Sequence, residues 1–148
     1  MSQHSPKELQ ENRRRAIKLM KRILTHFRTA MDEELRPCGI TIAQLQILWA
    51  IRNAPGSSGA QLSRQCEVTP QTAQELIQRA EENGWILRAK DSVNDRIITA
   101  SLTVGGEELL STAEQAVRQI EMKLWKGVSS DSLGSIIEVL EKCLDNVQ

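Results

Sequence analysis

Side chains that can hydrogen-bond to bases recur at helical spacing between residues 69 and 79. Glutamine can bond both edge atoms of adenine in the major groove of DNA, and threonine can bond a base or contact the methyl group of thymine. If Val68, Leu76, Ile77 and Ala80 are buried, the polar side chains form the opposite face of the helix. The candidate DNA-contacting residues of this helix are Thr69, Pro70, Gln71, Thr72, Gln74, Glu75, Gln78 and Arg79. A polar face that is only solvated has the same composition, so the neighbouring segments must decide between the two interpretations.

Basic side chains surround a predicted turn that follows this helix. Residues 85–90 and 96–102 are predicted to be strands, with residues 91–95 as the turn between them. An arginine at the tip of a hairpin suits a narrow minor groove, which attracts cations. The candidate DNA-contacting residues of the hairpin are therefore Arg88, Lys90 and Arg96. The alternative for Arg96 is an ion pair with an aspartate of the turn, which would hold the hairpin together.

Two short helices that meet at a sharp angle must position the polar face. The first is predicted over about residues 60–66, and the second begins at Thr69, an N-cap that is followed by proline. The second helix ends at Asn83 and Gly84, and two residues separate it from the first. This is the helix-turn-helix pattern. A hairpin directly after its second helix makes it a winged helix-turn-helix.

Long amphipathic helices are predicted at both ends of the chain. Apolar residues recur at spacings of three and four over residues 6–36 and 107–126, and a last helix starts at a cap formed by Ser130 or Asp131. Packed against a second copy, these helices would form a dimer interface, and a two-fold dimer suits palindromic DNA. The alternative is that they cover the middle domain of a monomer.

The predicted fold class is mainly α with a small β-hairpin wing. Thr41 is a predicted N-cap, and residues 53–59 are predicted to be a loop. A winged helix-turn-helix DNA-binding lobe covers residues 39–103, and residues 1–38 and 104–148 form a helical dimerisation region.

Composition limits the partners that this chain can have. The 19 basic and 19 acidic side chains cancel, so DNA binding requires positive charge to be concentrated on one surface. Residues 13–22 hold six basic side chains, a run that we interpret as a solvated helix face in preference to a phosphate contact. The apolar stretch of residues 40–51 is too short to span a bilayer, and residues 1–12 lack the apolar segment of a secretory signal. We therefore expect a cytoplasmic protein with no membrane partner.

Catalytic and metal chemistry are not indicated by the sequence. Cys38, Cys66 and Cys143 are scattered without a C-x-x-C spacing, and there are two histidines, so we expect neither a metal site nor a cofactor. The sequence shows no glycine-rich phosphate loop and no nucleophile paired with a base. We therefore expect that the protein is not an enzyme.

Several sequence phrases resemble, in order and spacing, those of the MarR (multiple antibiotic resistance regulator) family. The phrases are GITIAQLQIL (39–48), QLS (61–63), TPQT (69–72), RAEENGWILR (79–88), NDR (94–96) and LTVG (102–105). The resemblance implies a homodimer held by the terminal helices, with a winged lobe on each subunit and a palindromic operator. It also implies a repressor that is released by a small phenolic or anionic ligand bound between the dimerisation region and the lobe. By position, the candidate ligand-binding residues are His26, Phe27, Trp49 and Arg88.

The resemblance is weaker at the tip of the hairpin and on the second helix. Relatives commonly carry Asp-x-Arg in the wing, and counting back from residue 102 aligns Asn94 with the acid and Arg96 with the tip arginine. A slip of one residue would instead pair Asp95 with Arg96. Asn94 therefore joins the candidate DNA-contacting residues. Glu75 stands where a basic or neutral residue is frequent, and its carboxylate repels phosphate but can accept a bond from cytosine.

Two other functions remain open from the sequence. A winged-helix module that binds protein in place of DNA would fit the zero net charge, Glu75 and the weakened wing. A redox-sensing regulator would use Cys66 or Cys38, each of which has an arginine nearby, since some relatives respond to cysteine oxidation. The chain lacks tyrosine, which some of those relatives use to hold the reacting cysteine. A buried or inert thiol is the preferred interpretation of both cysteines.

Overall fold

The computed structural model describes residues 5–148, and these form six α-helices, a short 3-10 helix and three β-strands. The helices are α1 (Pro6–Leu35), α2 (Ile42–Asn53), α3 (Gly59–Gln65), α4 (Pro70–Glu82), α5 (Val104–Leu124) and α6 (Ser130–Asp145), with the 3-10 helix at Arg36–Cys38. The strands are β1 (Ser57–Ser58), β2 (Ile86–Lys90) and β3 (Ile98–Leu102). The predicted fold class, mainly α with a β-hairpin wing, is confirmed. Within residues 5–148 the structure has no helix of the length and apolar character needed to cross a membrane.

Side-chain caps define where the first helices begin. The hydroxyl of Ser5 accepts a bond from the backbone N–H of Glu8, and the Glu8 carboxylate accepts one from the N–H of Ser5. Thr41 and Gln44 repeat this capping box at the start of α2, which confirms Thr41 as an N-cap. Between the two helices, Gly39 adopts a left-handed backbone conformation with a φ of 71°, which favours glycine. The Thr41 cap is a short-range signal, and the sequence therefore revealed it; the Ser5 cap was not predicted.

The hydrophobic core lies in the middle of the chain, where α2, α3 and α4 pack with the sheet and with α5. Its fully buried large side chains are Leu35, Leu45, Ile47, Leu48, Ile51, Leu62, Ile86 and Leu110. On α4, Ile77 and Ala80 are buried as predicted, and Ala73 is buried beside them. Leu76 and Val68, which were also expected in the core, are half-buried.

A three-stranded antiparallel sheet, in the order β1–β3–β2, forms the wing and ties it to the core. Strands β2 and β3 pair from Ile86 opposite Leu102 to Lys90 opposite Ile98. Strand β1 pairs with the middle of β3 and lies in residues 53–59, where a plain loop was predicted. That prediction was wrong because two serines carry no alternation of polarity that would indicate a strand. Strand β1 forms because the backbone of β3 offers groups with which it can pair.

Four other predicted boundaries are corrected by the structure. Helix α5 begins at Val104 and not at residue 107, because the Thr103 hydroxyl accepts a bond from the N–H of Gly106 at 3.0 Å. Gly106 is also needed for packing, since an added Cβ would collide with the carbonyl oxygen of Trp85. Helix α6 is capped by Ser129, and neither Ser130 nor Asp131 has that role. The strands begin one and two residues later than predicted, at Ile86 and Ile98.

The terminal helices extend beyond this core. Helix α1 packs against α5 through its C-terminal part, which includes Phe27, Met31 and Leu35. Residues 5–26 are all exposed, and α6 buries none of its side chains. The exposed apolar side chains of these two helices include Leu9, Ile17, Leu19, Met20, Ile23, Leu24, Ile136, Ile137, Val139, Leu140 and Leu144.

Candidate nucleic-acid interface

Helix α4 presents the predicted polar face to solvent. Thr69 caps the helix by accepting a bond from the N–H of Thr72 at 3.1 Å, and Pro70 occupies the first helical position. The opposite face is held in the core by Ala73, Ile77 and Ala80. The structure brings the candidate residues together on one exposed surface: Thr69, Pro70, Gln71, Thr72, Gln74, Glu75, Gln78 and Arg79.

Two of the three glutamines of α4 bond to acidic neighbours one turn further along the helix. Gln71 donates from Nε2 to Glu75 at 3.4 Å, and Gln78 donates to Glu82 at 3.0 Å. Such exposed pairs stabilise a helix by only about 0.2–0.5 kcal/mol each. A base edge can therefore replace the acidic partner at little cost, and these glutamines are available for recognition.

The turn between α3 and α4 contains a backbone strain that the sequence did not indicate. Glu67 has a φ of 53°, in the left-handed region where a residue other than glycine costs roughly 1–2 kcal/mol. Backbone bonds on either side hold this conformation, from Glu67 to Arg64 at 3.3 Å and from Val68 to Ser63 at 3.1 Å. The strained turn joins the two helices and reverses the backbone conformation between them.

The turn of the wing is held by side-chain acceptors and not by an ion pair of Arg96. Asp91 Oδ2 accepts bonds from the N–H groups of Val93 and Asn94, both at 3.0 Å, and Asn94 Oδ1 accepts one from the N–H of Arg96 at 3.1 Å. Within residues 5–148, Arg96 forms no ion pair with Asp91 or Asp95. The alternative of a turn-holding ion pair is therefore wrong. Arg96 and Lys90 are exposed, and Asn94 shapes the turn that carries Arg96.

Arg88 is placed differently from the other basic residues of the wing. Its Nε donates to Glu81 Oε2 of α4 at 2.7 Å, in an ion pair whose side chains are about one-quarter and two-fifths exposed. This pair joins strand β2 to helix α4. Arg88 therefore holds the hairpin against the polar helix, and the Glu81 carboxylate already compensates its charge.

A second polar link joins the lobe to α5. Glu114 Oε1 accepts a bond from Trp49 Nε1 at 2.9 Å and pairs with the guanidinium of Arg52. The Arg52 bond, with a smaller contribution from Trp49, holds the pKa of Glu114 below its ordinary value although burial opposes this. The same bond raises the pKa of Arg52. Sequence reasoning missed this cluster because Glu114 lies more than 60 residues from Trp49 and Arg52.

The four candidate ligand-binding residues do not share one cavity, which corrects the expectation of a single site. His26 and Phe27 line a cavity of about 600 Å³ between α1 and α5. Trp49 lines a separate hollow beside Cys66, and Arg88 lies at a third beside Arg96. The cavity at His26 has apolar walls, formed by side chains of both helices: Leu19, Ile23, Ala30, Ile120 and Leu124. Its charged lining residues are Arg22, Glu33, Glu34 and Lys123.

Cys66, the cysteine beside the helix-turn-helix, shows no feature of a reactive site. Cys38 and Cys66 are half-buried, Cys143 is exposed, and all three are free thiols. Burial raises the pKa of the Cys66 thiol, which lowers the fraction of reactive thiolate at neutral pH. The part of the chain that the structure describes contains no group of three or more His, Cys, Asp or Glu residues arranged to hold a metal ion.

Comparison with known proteins shows which family this chain resembles. The family model described as "MarR family" matches residues 39–97, from just before α2 to the residue before strand β3. The chain is therefore similar to proteins of the MarR family, and the match to the family model lies in the middle of the chain. A relative, the HTH-type transcriptional repressor Rv2887 of Mycobacterium tuberculosis, is 27% identical over 124 residues, which cover 84% of this chain and 89% of the relative.

Solved MarR-family structures match this chain beyond the lobe. The MarR family transcription regulator SP03579 has a TM-score of 0.88 at 19% identity, over 97% of this chain and 95% of its own. A mutant MarR from E. coli, solved in complex with operator DNA, has a TM-score of 0.77 at 24% identity, over 86% and 91% of the two chains. At these identities the likeness shows the fold, and that fold includes the terminal helices.

Proposed function

We propose that this chain is a MarR-family transcription regulator that binds double-stranded DNA as a homodimer. In this proposal α4 lies in the major groove and the tip of the β2–β3 hairpin reaches the adjacent minor groove. One observation carries the proposal: the exposed glutamine face of α4 lies beside a hairpin whose tip arginine is exposed and unpaired within residues 5–148. The solved complex of E. coli MarR with operator DNA supports it for a protein of that family.

Each exposed side chain of α4 has a role that follows from its chemistry. Gln74 and Gln78 are suited to adenine, whose edge offers one donor and one acceptor. Glu75 is suited to cytosine, because its carboxylate can accept a bond from the N4 amino group. Arg79, near the C-terminal end of α4, is suited to a phosphate. Thr69, Pro70, Gln71 and Thr72 complete the contact surface at the start of the helix.

The wing residues divide into contacting and positioning groups. Arg96 and Lys90 are exposed cations that can enter or flank a minor groove. Arg88 positions the hairpin through Glu81, and Asn94 positions Arg96 through the turn. With few unpaired cations on this surface, we expect a weaker salt dependence than a strongly basic protein would show.

The proposal assigns DNA binding and dimerisation to different parts of the chain. Residues 39–103 form the DNA-binding lobe, and residues 1–38 and 104–148 form the dimerisation region. A two-fold dimer places two α4 helices on half-sites one helical turn apart, which predicts a palindromic operator. The naming of Rv2887 as a transcriptional repressor supports repression as the outcome of binding.

A small anionic or phenolic effector fits the cavity between α1 and α5. Apolar side chains such as Phe27 and Ile120 can contact an aromatic ring, and Arg22 and Lys123 can pair with a carboxylate on the side of the cavity away from Glu33 and Glu34 or with a phenolic oxygen. Rv2887 has been solved in complex with salicylic acid and with p-aminosalicylic acid, at TM-scores of 0.66 and 0.67 to this chain. We expect salicylate to release DNA from this chain, and Lys123→Ala to weaken that release without weakening DNA binding itself.

Selection from a randomised duplex pool tests the proposed function. The purified protein is incubated with the pool at low and high salt, and the bound duplexes are sequenced. We expect a palindrome with half-sites about one helical turn apart, whose binding weakens as salt increases. A folded protein that enriches no sequence at either salt concentration would contradict the proposal and favour a winged-helix module that binds protein.

A further inference from the structure

The tip of the wing carries an apolar side chain that the fold does not bury. Val93 lies in the turn between β2 and β3 and is 92% exposed, the highest exposure of any large apolar side chain within residues 5–148. Packing within the chain therefore does not account for a valine at this position. Turn chemistry does not account for it either, because turns favour glycine, proline, asparagine, aspartate and serine, whereas valine is typical of strands.

The turn holds Val93 in its exposed position. The backbone N–H of Val93 donates to Asp91 Oδ2 at 3.0 Å, and the N–H of Asn94 donates to the same oxygen at the same distance. At the base of the turn, the N–H of Asp91 donates to the carbonyl of Ile97 at 2.8 Å, and the N–H of Ile97 donates to the carbonyl of Asn94 at 3.0 Å. Because these bonds fix the backbone on both sides of Val93, its side chain is presented to a partner without the cost of ordering a flexible loop.

The charges around the tip cancel. Lys90 and Arg96 are exposed cations, and Asp91 and Asp95 are the acidic residues between them. Attraction to phosphates depends on positive charge, so a tip of zero net charge is drawn to DNA only weakly. If the tip reaches a minor groove, as the proposed function requires, part of its binding must come from direct contact with the groove. Val93 is the apolar side chain placed to make that contact.

The floor of the minor groove differs between base pairs by one hydrogen-bond donor. A·T and T·A pairs present only acceptors there, adenine N3 and thymine O2, whereas a G·C pair adds the N2 amino group of guanine. An apolar side chain against that amino group would leave a buried donor without a partner, which costs free energy. An A·T pair has no such donor. Apolar side chains also contact the minor groove in many proteins that bind there.

We infer that Val93 determines specificity in the minor groove by selecting A·T or T·A pairs beneath the tip of the wing. This inference rests on the proposed function and deepens it. The methyl groups of Val93 exclude the guanine amino group, and Arg96 adds attraction to the negative potential of the groove. Helix α4 reads bases in the major groove, so Val93 adds one position to each half-site that α4 does not read.

Inosine in the DNA and an isosteric substitution in the protein test the inference. Inosine·cytosine resembles G·C in the major groove and lacks the N2 amino group in the minor groove. Each A·T pair of the selected palindrome is replaced in both half-sites, first by G·C and then by inosine·cytosine, and binding is measured by fluorescence anisotropy. At positions read by α4 the two replacements should weaken binding equally. At the position beneath the wing, G·C should weaken binding roughly tenfold and inosine·cytosine by about twofold or less.

Val93→Thr replaces one methyl group by a hydroxyl that can accept a bond from the guanine amino group. This variant should bind the G·C and inosine·cytosine duplexes within about twofold of each other at the wing position. Ser92→Ala, in the same turn, is the matched control and should keep the wild-type difference. Both side chains are exposed, so thermal unfolding of the two variants should match that of the wild type.

The outcomes separate this inference from the proposed function. If no position distinguishes G·C from inosine·cytosine in the wild type, Val93 does not read the minor groove and the inference is overturned. It is also overturned if Val93→Thr keeps the difference and Arg96→Ala removes it, because arginine then sets the preference. If the folded wild type enriches no sequence from the random pool, the proposed function fails, and the inference fails with it before any variant is made.

Discussion

The lobe and the terminal helices of this chain differ in where their apolar side chains are buried. In the lobe, Leu45, Leu48 and Leu62 are fully buried by neighbours from the same chain. On the terminal helices, Leu24 is 67% exposed and Leu140 is 44% exposed. The same type of residue thus stabilises a fold in one region and offers a contact surface in the other. The difference shows that the lobe buries its apolar side chains within one chain, and it supports the proposal that the terminal helices pack against a second copy.

The largest expected effect is a difference in stability between two leucine-to-alanine variants, one in the lobe and one in a terminal helix. Leu48→Ala should lower the free energy of unfolding by about 2–5 kcal/mol, because it removes buried contacts and leaves a cavity. Leu140→Ala should change the stability of the monomer by less than about 1 kcal/mol, because its side chain is already half exposed. Urea unfolding at a protein concentration low enough to dissociate the dimer measures both values.

The two substitutions should also differ in how their effect on stability depends on protein concentration. The destabilisation by Leu140→Ala should grow as the wild-type protein is concentrated, since only the wild type then gains fully from dimerisation. The effect of Leu48→Ala should change little by comparison. If Leu140→Ala is as damaging as Leu48→Ala at every concentration, then α6 is buried within the monomer and the comparison between the regions is invalid.

The next largest effects are expected on DNA binding, from substitutions on the exposed surface of the lobe. Gln74→Ala should cost about 1–3 kcal/mol of DNA binding and relax the preference at one base pair of each half-site. Arg96→Ala should weaken binding more evenly across sequences and reduce the slope of affinity against salt. Fluorescence anisotropy on the selected palindrome and its single-base variants measures both effects.

The matched control for these two variants is Gln115→Ala, which removes an exposed amide from α5. It should bind DNA like the wild type. Thermal unfolding of all three variants should stay close to that of the wild type, because each altered side chain is exposed. Unaltered DNA binding by both Gln74→Ala and Arg96→Ala would exclude α4 and the wing as the contact surface.

A smaller effect is expected where the two regions meet, at Glu114. Folding lowers the pKa of this carboxyl from its ordinary value of 4.5, so the folded chain binds the proton less tightly than the unfolded chain does. The stabilisation is therefore complete above pH 4.5 and is lost as the pH falls below that value towards the folded-state pKa. Its size is about 1 kcal/mol or less, because Arg52 and Glu114 are both partly exposed.

Thermal unfolding across this pH range measures the contribution. Glu114→Gln should be less stable than the wild type near neutral pH, and the difference should shrink as the solution becomes acidic. Glu108→Gln, at an exposed position on the same helix, is the control. A difference between wild type and Glu114→Gln that does not change with pH would show that the ion pair with Arg52 contributes nothing.

The smallest expected effect is that of oxidation at the lobe. Because burial raises the pKa of the Cys66 thiol, little thiolate is present at neutral pH. Brief treatment with dilute hydrogen peroxide should therefore leave DNA binding unchanged, and Cys66→Ser should bind like the wild type. A loss of binding that peroxide causes in the wild type and not in Cys66→Ser would instead favour the redox-sensing alternative.

Local signals in the sequence were sufficient for most of the lobe. The Thr41 and Thr69 caps and the proline after Thr69 act within one helical turn, so the corresponding helix starts were predicted. Strand β1 was missed because its pairing with β3 joins segments about 40 residues apart. The turn at Glu67 was not recognised as strained, because glutamate does not indicate a left-handed conformation.

The candidate site was predictable to a similar extent, and for the same reason. The exposed face of α4 can be deduced from helical spacing alone, and the structure exposes every residue assigned to it. The pairing of Arg88 with Glu81 and the cluster around Glu114 depend on tertiary packing, so spacing did not reveal them. For the same reason the four candidate ligand residues were assigned to one cavity although they lie in three.

The stoichiometry of the DNA complex tests the central claim most directly. Sedimentation is measured for the protein bound to the selected palindrome and to a duplex of equal length that carries a single half-site. We predict two chains on each palindrome, bound as a preformed dimer, and much weaker binding to the single half-site. One chain per duplex, with equal affinity for both duplexes, would contradict a dimeric regulator in which the lobes read DNA and the terminal helices join the two copies.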